Sequence, residues 1–188
     1  NPLKKLAYIL IRYPIEKLAQ VRFDRMRAKY LKMTPRCSSS EDLEKLSADA
    51  FMTGSDQVWG PMMNGVYDSA YFLQFVHGEA KKLAYAASFG KTAFNDSTIA
   101  SYRKMLTSYD KIAVRENSAV DLLNEWKLTN CVGQVLDPTL LLNKNDWKTL
   151  LMNGNDTARY ADKKYILVYQ IHNDSKLSDY AIRLAKHT

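Results

Sequence analysis

Asp56 and Arg115 are the residues of this chain that type and position best equip for chemistry, since each follows directly on a run with strand character. Arg115 ends a predicted strand and precedes a predicted helix. There its guanidinium can pair bidentately with a carboxylate or phosphate, and the helix N-terminus adds to the anion site. The competing reading is an Arg paired with Glu116 or Asp110 for structure alone. Asp56 lies in Gly54-Ser55-Asp56-Gln57-Val58-Trp59. Its carboxylate can accept a proton from a hydroxyl or hold that hydroxyl by hydrogen bonds; otherwise Ser55 or Asp56 caps a following helix. Gly54 lets the backbone turn tightly and approach a ligand, although a glycine after a strand is commonplace. Trp59 is assigned to the core in preference to stacking on a ligand.

Three further groups carry weaker signals. Ser88 and Gly90 make a small polar strand end that admits a ligand, with Lys91 adding charge. Asp137-Pro138-Thr139 combines a carboxylate with a rigid turn, and Asp137 either contacts a ligand or fixes its own loop by accepting backbone N–H bonds. His172 and Asp174 follow a later predicted strand and would face the same crevice from a second domain; a surface histidine is the alternative. His77 and His187 have less context still. No Cys/His or carboxylate spacing points to a metal, and no GxGxxG follows a strand, which argues against a dehydrogenase.

The elements that must position these groups alternate. Strands are predicted at 49–53, 82–87, 111–114 and 131–136, each closed by one of the polar clusters, with helices at 41–46, 97–106, 117–126 and 143–151. That alternation implies right-handed crossovers and a parallel α/β sheet, whose ligands sit outside the carboxyl ends of the strands. One crevice would collect all four clusters. Pro14 interrupts the opening pattern, and 15–31 reads as an amphipathic helix with Arg22, Arg25, Arg27 and Lys29 among its apolar residues. A solvated surface helix is the simpler reading of it; a membrane-surface or partner-binding helix is the other. The segment 54–69 is long, lacks periodicity and is too apolar for a solvated linker, which points to a functional stretch. A break at 153–156 separates a further predicted strand at 164–170 and helix at 175–186, so 154–162 is a candidate domain boundary.

Composition narrows the classes. The 188 residues are 46% hydrophobic and 25% charged, enough to bury a core. A formal charge of +7 suits anionic ligands, nucleic acid or an anionic membrane. The aromatics lie inside apolar runs rather than among basic loops, so no nucleic-acid partner is expected. Cys37 and Cys131 form no ligand pattern, and a reducing compartment is the default. No apolar run is long enough to span a bilayer, and the start lacks the pattern of a cleavable signal peptide.

Read in order, Gly54-Ser55-Asp56-Gln57-Val58-Trp59, Tyr85-Ala86-Ala87-Ser88-Phe89-Gly90, Val114-Arg115-Glu116 and Leu136-Asp137-Pro138-Thr139 resemble the polysaccharide pyruvyl transferase family over roughly residues 45–175. The resemblance implies transfer of a pyruvyl group from phosphoenolpyruvate, a donor substrate with no further cofactor, to the hydroxyls of a saccharide, plausibly lipid-linked. A pyruvate ketal on a surface polysaccharide would result. It also implies a bacterial-type, cytoplasmic enzyme, placed at the inner face of the membrane if helix 15–31 binds anionic lipid. The implied fold is a Rossmann-like parallel sheet with flanking helices in a GT-B-like two-domain architecture, the active site lying between the domains.

On that scheme 1–152 is most of the first domain and 163–188 the start of the second. Residues 1–30 show no counterpart of the family's opening strand and glycine-containing loop. The second domain supplies Arg and His residues to the donor site, so these residues alone are expected to be inactive. The site residues carried over are Asp56 as catalyst, with Gly54, Ser55, Ser88, Gly90, Arg115, Asp137 and His172 as substrate contacts. A GT-B nucleotide-sugar glycosyltransferase and a non-catalytic α/β binding domain are the other classes; the oligomeric state is left open.

Overall fold

Four short runs, each holding an apolar residue at its centre, become strands β1 (Ala50–Thr53), β2 (Lys81–Ala87), β3 (Lys111–Val114) and β4 (Cys131–Gln134). In this computed structural model, which describes residues 8–61, 67–151, 164–172 and 174–186, all neighbouring pairs are parallel and the order is β1-β2-β3-β4. The chain therefore steps across the sheet in one direction. Right-handed crossovers that all step the same way stack their helices on one face.

That is where they pack. Helix α3 (Asp96–Leu106), the third after α1 (Tyr13–Tyr30) and α2 (Ser40–Glu44), is capped by Asn95, whose Oδ1 accepts from the Thr98 N–H at 2.9 Å. It buries Tyr102, Met105 and Leu106, one face at the i, i+3, i+4 spacing. Helix α4 (Asn117–Glu125) buries Ala119 and Leu123 against the same core, which includes Ile112 and Val114 of β3. The flanking helices are thus present on that side. On the other, Met52 and Val132 are 60% and 57% exposed.

Among the described residues, the segment between β1 and β2 fills the core through turns. It makes a turn through Trp59 and a 3-10 turn at Ser69–Phe72, and both Trp59 and Phe72 are fully buried. Their rings lie 6.0 Å apart, and Phe89 and Tyr102 pack on the pair. The Tyr102 hydroxyl donates to the Trp59 carbonyl at 2.7 Å, a buried bond between residues 43 positions apart. Tyr102→Phe would leave that carbonyl unpaired in the core. The expected loss is about 1–3 kcal/mol, read as a lower urea midpoint with unchanged slope.

One expectation needs correction. Residues 164–170 form no strand among the described residues, and Leu167 and Tyr169 are 81% and 84% exposed. An apolar run signals strand character, but a strand exists only where a partner satisfies its N–H and C=O groups. Pro14 stands in the first turn of α1, directly after a π-helical turn at Tyr8–Arg12, so the helix type does change beside it. No residue of α1 is buried, and Leu18, Arg22, Arg25 and Lys29 share one line at i, i+4, i+7, i+11. Ile15, Ala19, Phe23, Met26 and Tyr30 share the neighbouring line at i, i+4, i+8, i+11, i+15, so an apolar stripe runs beside the basic one.

Helices α5 (Lys144–Leu151) and α6 (Ser175–Ala185) follow as expected, the latter capped by Asp174. The break at 153–156, the boundary at 154–162 and His187 lie outside the described residues. Among the described residues no helix is long and apolar enough to cross a membrane.

Candidate functional site

The sheet ladder runs on past the strands, and this brings the polar clusters together. Asp56 forms an isolated parallel bridge with Ala87, its carbonyl accepting from the Ser88 N–H at 2.9 Å. One rung over, the Arg115 N–H donates to the Ala87 carbonyl at 3.1 Å, and the Val135 N–H to the Val114 carbonyl at 2.8 Å. Asp56, Arg115 and the Asp137 loop therefore line up at the carboxyl edge.

Their side chains meet on one guanidinium. Arg115 Nε donates to Glu116 Oε1 at 2.8 Å, while Nη1 lies 3.4 Å from Asp137 Oδ2 and 3.5 Å from Asp56 Oδ1. The three carboxylates differ in exposure: the Asp137 side chain is 18% exposed, Glu116 38% and Asp56 81%. Together they hold the Arg115 proton more tightly than usual, Glu116 foremost, against partial desolvation. Asp110, the other partner expected for Arg115, is used elsewhere: its Oδ2 accepts from the Lys82 N–H at 2.8 Å.

Asp137 is locked in its ionised form. Its Oδ1 accepts from the Thr139 N–H at 3.0 Å and from the Thr139 hydroxyl at 2.8 Å. These two bonds, with smaller contributions from the Ser55 hydroxyl and Arg115, lower its pKa to about 2. The loop-fixing reading of Asp137 is thus realised, and its second oxygen still reaches Arg115. A carboxylate with a depressed folded pKa stabilises the fold above its unfolded pKa of about 4, and that stabilisation disappears as pH falls through the folded value. Wild type should be more stable than Asp137→Asn at pH 7, with the gap closing between about pH 4 and pH 2 in denaturation curves.

The two glycines serve backbone packing. A Cβ on Gly54, at φ +114°, would lie 2.0 Å from the Tyr85 carbonyl oxygen, so its close approach is to β2 rather than to a ligand. A Cβ on Gly90, at φ +67°, would lie 2.7 Å from the Gln57 side chain. Ser88 is 2% exposed, and its Oγ accepts from the Gly90 N–H at 3.0 Å. Neither Ser55 nor Asp56 caps a helix; Asp56 adopts φ +75° in a turn that continues through Gly60. Trp59 is core, as expected. His172 is exposed and makes none of the cluster's bonds.

Two clefts flank the cluster. One of about 300 Å³ lies between Gln57, Gly90, Lys91, Glu116 and Ser118. It meets the start of α4, which has no side-chain cap because the Glu116 carboxylate is turned to Arg115. The other, about 260 Å³, is lined by Asp56, Gln57, Asp68 and Tyr71 among others. Gln57 walls both. It stands inside the first polar cluster, where the motif exposes it to sequence reading; Asp68 and Tyr71 carry no such signal beyond belonging to an aperiodic segment. Among the described residues no group of three or more His, Cys, Asp or Glu side chains is arranged to hold a metal.

A sequence profile of the family described as Polysaccharide pyruvyl transferase matches residues 2–188. The match takes in residues 2–44, which the four motifs leave outside. No curated protein and no solved structure matches the chain.

Proposed function

Because this chain belongs to the polysaccharide pyruvyl transferase family, we propose that the protein moves the pyruvyl group of phosphoenolpyruvate onto two hydroxyls of a saccharide, giving a cyclic ketal and inorganic phosphate. C3 of the enol takes one proton and becomes a methyl group. C2 becomes electrophilic and bonds to two saccharide oxygens, while its bond to the phosphate oxygen breaks with the electron pair on phosphate. Two hydroxyl protons are released; one balances the proton taken up at C3 and the other leaves on hydrogen phosphate.

The observation that carries this reading is the convergence of Asp56, Arg115 and Asp137 from three different strand ends on one point. Asp137 is held ionised at neutral pH and orients Arg115. Asp56, the most solvent-facing carboxylate of the three, is the base that takes a saccharide hydroxyl proton. Arg115 already faces three carboxylates, so a further phosphate would meet net negative charge there. We therefore assign Arg115 to holding the carboxylates and place the donor anion on the Lys91 side, where the uncapped start of α4 adds favourable partial charge. Gly54, Ser55, Ser88 and Gly90 set the loops that carry these groups, and His172 is given no role.

The whole protein on this reading has two GT-B-like domains, 1–152 making up most of the first and 163–188 the start of the second, with further donor contacts from that second domain. The acceptor is a saccharide, plausibly lipid-linked, met in the cytoplasm. The test is phosphate release from phosphoenolpyruvate by the intact protein with a panel of saccharides. Saccharide-dependent release supports the assignment; transfer from a nucleotide sugar with no response to phosphoenolpyruvate overturns it.

A further inference from the structure

Tyr71 differs from the aromatic residues around it. Trp59, Tyr67, Phe72 and Tyr109 each lie against another ring, whereas the Tyr71 ring meets none among the described residues and the residue is 48% exposed. Its backbone is nonetheless fixed: Trp59 Nε1 and the Tyr109 hydroxyl both donate to the Tyr71 carbonyl, at 3.2 and 3.3 Å. The next residue, Phe72, is fully buried and anchors the 3-10 turn. An open aromatic face on an immobile backbone loses little freedom when a ligand covers it.

Tyr71 also joins two cavities. With Asp68 it lines the 260 Å³ cleft that begins at Asp56, and the same two residues line a cleft of about 570 Å³ reaching Ser38, Ser40, Glu44 and Gln74. Asp68 and Tyr71 thus stand between the cleft at the carboxylate cluster and a second cleft whose walls mix hydroxyls, a carboxylate and an amide with Leu43 and Phe75. Such mixed walls suit a sugar, which carries hydroxyls at its rim and C–H groups on its faces.

We propose that the second cleft is an extended acceptor subsite, with Tyr71 stacking on a sugar residue beyond the one that reacts. The assignment rests on the pyruvyl transferase reading. It is tested on the intact protein with the shortest saccharide that supports phosphate release and the same saccharide extended by one and two residues. KM should fall on extension in wild type, and Tyr71→Ala should raise KM about 3- to 10-fold more for the extended acceptors than for the shortest one. Tyr71→Phe, which keeps the ring, should behave as wild type. An equal KM change for short and long acceptors, or none for either, overturns the subsite.

If wild type releases no phosphate with any saccharide, the transferase reading fails on its own. Saturation-transfer NMR with the oligosaccharides of the same panel then tests the groove separately. Binding that is lost in Tyr71→Ala sustains it, and absence of binding to wild type, or binding that survives in the variant, overturns it.

Discussion

Asp56→Asn is expected to lower saccharide-dependent phosphate release from phosphoenolpyruvate by about 100- to 10,000-fold, the usual contribution of a positioned general base. The loss should fall on kcat, because the amide keeps the shape of the side chain and its hydrogen-bonding reach to the acceptor while it no longer takes a proton. The fold should survive, since the Asp56 side chain is 81% exposed, an amide oxygen can still face Arg115 in place of the 3.5 Å pair, and the bonds to Ser88 and Val58 are made by the backbone carbonyl. The melting temperature of the variant should therefore stay close to that of wild type. A variant with wild-type turnover would remove Asp56 from the chemistry and leave the Arg115 cluster as a purely structural ion-pair network. Such networks also form at strand ends, so exposure and position alone do not decide the matter.

Gly54→Ala should have the largest effect on the fold itself. Its Cβ would sit 2.0 Å from the Tyr85 carbonyl oxygen, inside the pair of strands that carries the site, and at φ +114°, where side chains are strained whatever the space. The obstacle is backbone rather than the flexible end of a side chain, so β1 and β2 would have to separate. Overpacking costs roughly 1–3 kcal/mol and the backbone conformation about 1–3 kcal/mol more. Their sum is comparable to much of a domain's net stability. The expected outcome is a sharply lowered denaturation midpoint or loss of soluble protein, alongside loss of activity. Gly78→Ala is the control: Gly78 also has positive φ, +74°, but nothing lies within 4 Å of its Cβ position, and its cost should be limited to the dihedral.

The sheet was legible in the sequence because each strand combines two local signals, an apolar run and a polar stop. The helices that bury a face, α3 and α4, were legible for the same reason: Tyr102, Met105 and Leu106, or Ala119 and Leu123, repeat at helical spacing. Residues 164–170 show the limit of that logic. Their composition is as strand-like as that of β3, but strand formation depends on a partner that local sequence does not encode. Helix α1 shows the complementary case, a helix whose period is readable while the fate of its apolar side chains depends on what packs there.

At the site, motif order was enough to bring Asp56, Arg115 and Asp137 to one edge. It did not reveal that Arg115 would be surrounded by three carboxylates, because that depends on extension of the ladder beyond β1 and β4 through Asp56 and Val135. Gly54 and Gly90 likewise announced tight backbone geometry without saying what approaches them. Tyr71 was invisible for a further reason: its neighbours are also aromatic, and only the packing separates the ring left in solvent from those drawn into the core.

The most direct test of the central claim follows the transferred carbon. Phosphoenolpyruvate labelled with carbon-13 at C2 is incubated with the intact protein and each saccharide of the panel, and the products are read by NMR alongside phosphate release. The account predicts one labelled carbon joined through two oxygens to the saccharide for each phosphate released, with neither product formed by Asp56→Asn at a comparable rate. Phosphate released while the label appears only as free pyruvate would contradict it, because the site would then be hydrolysing the donor rather than transferring it.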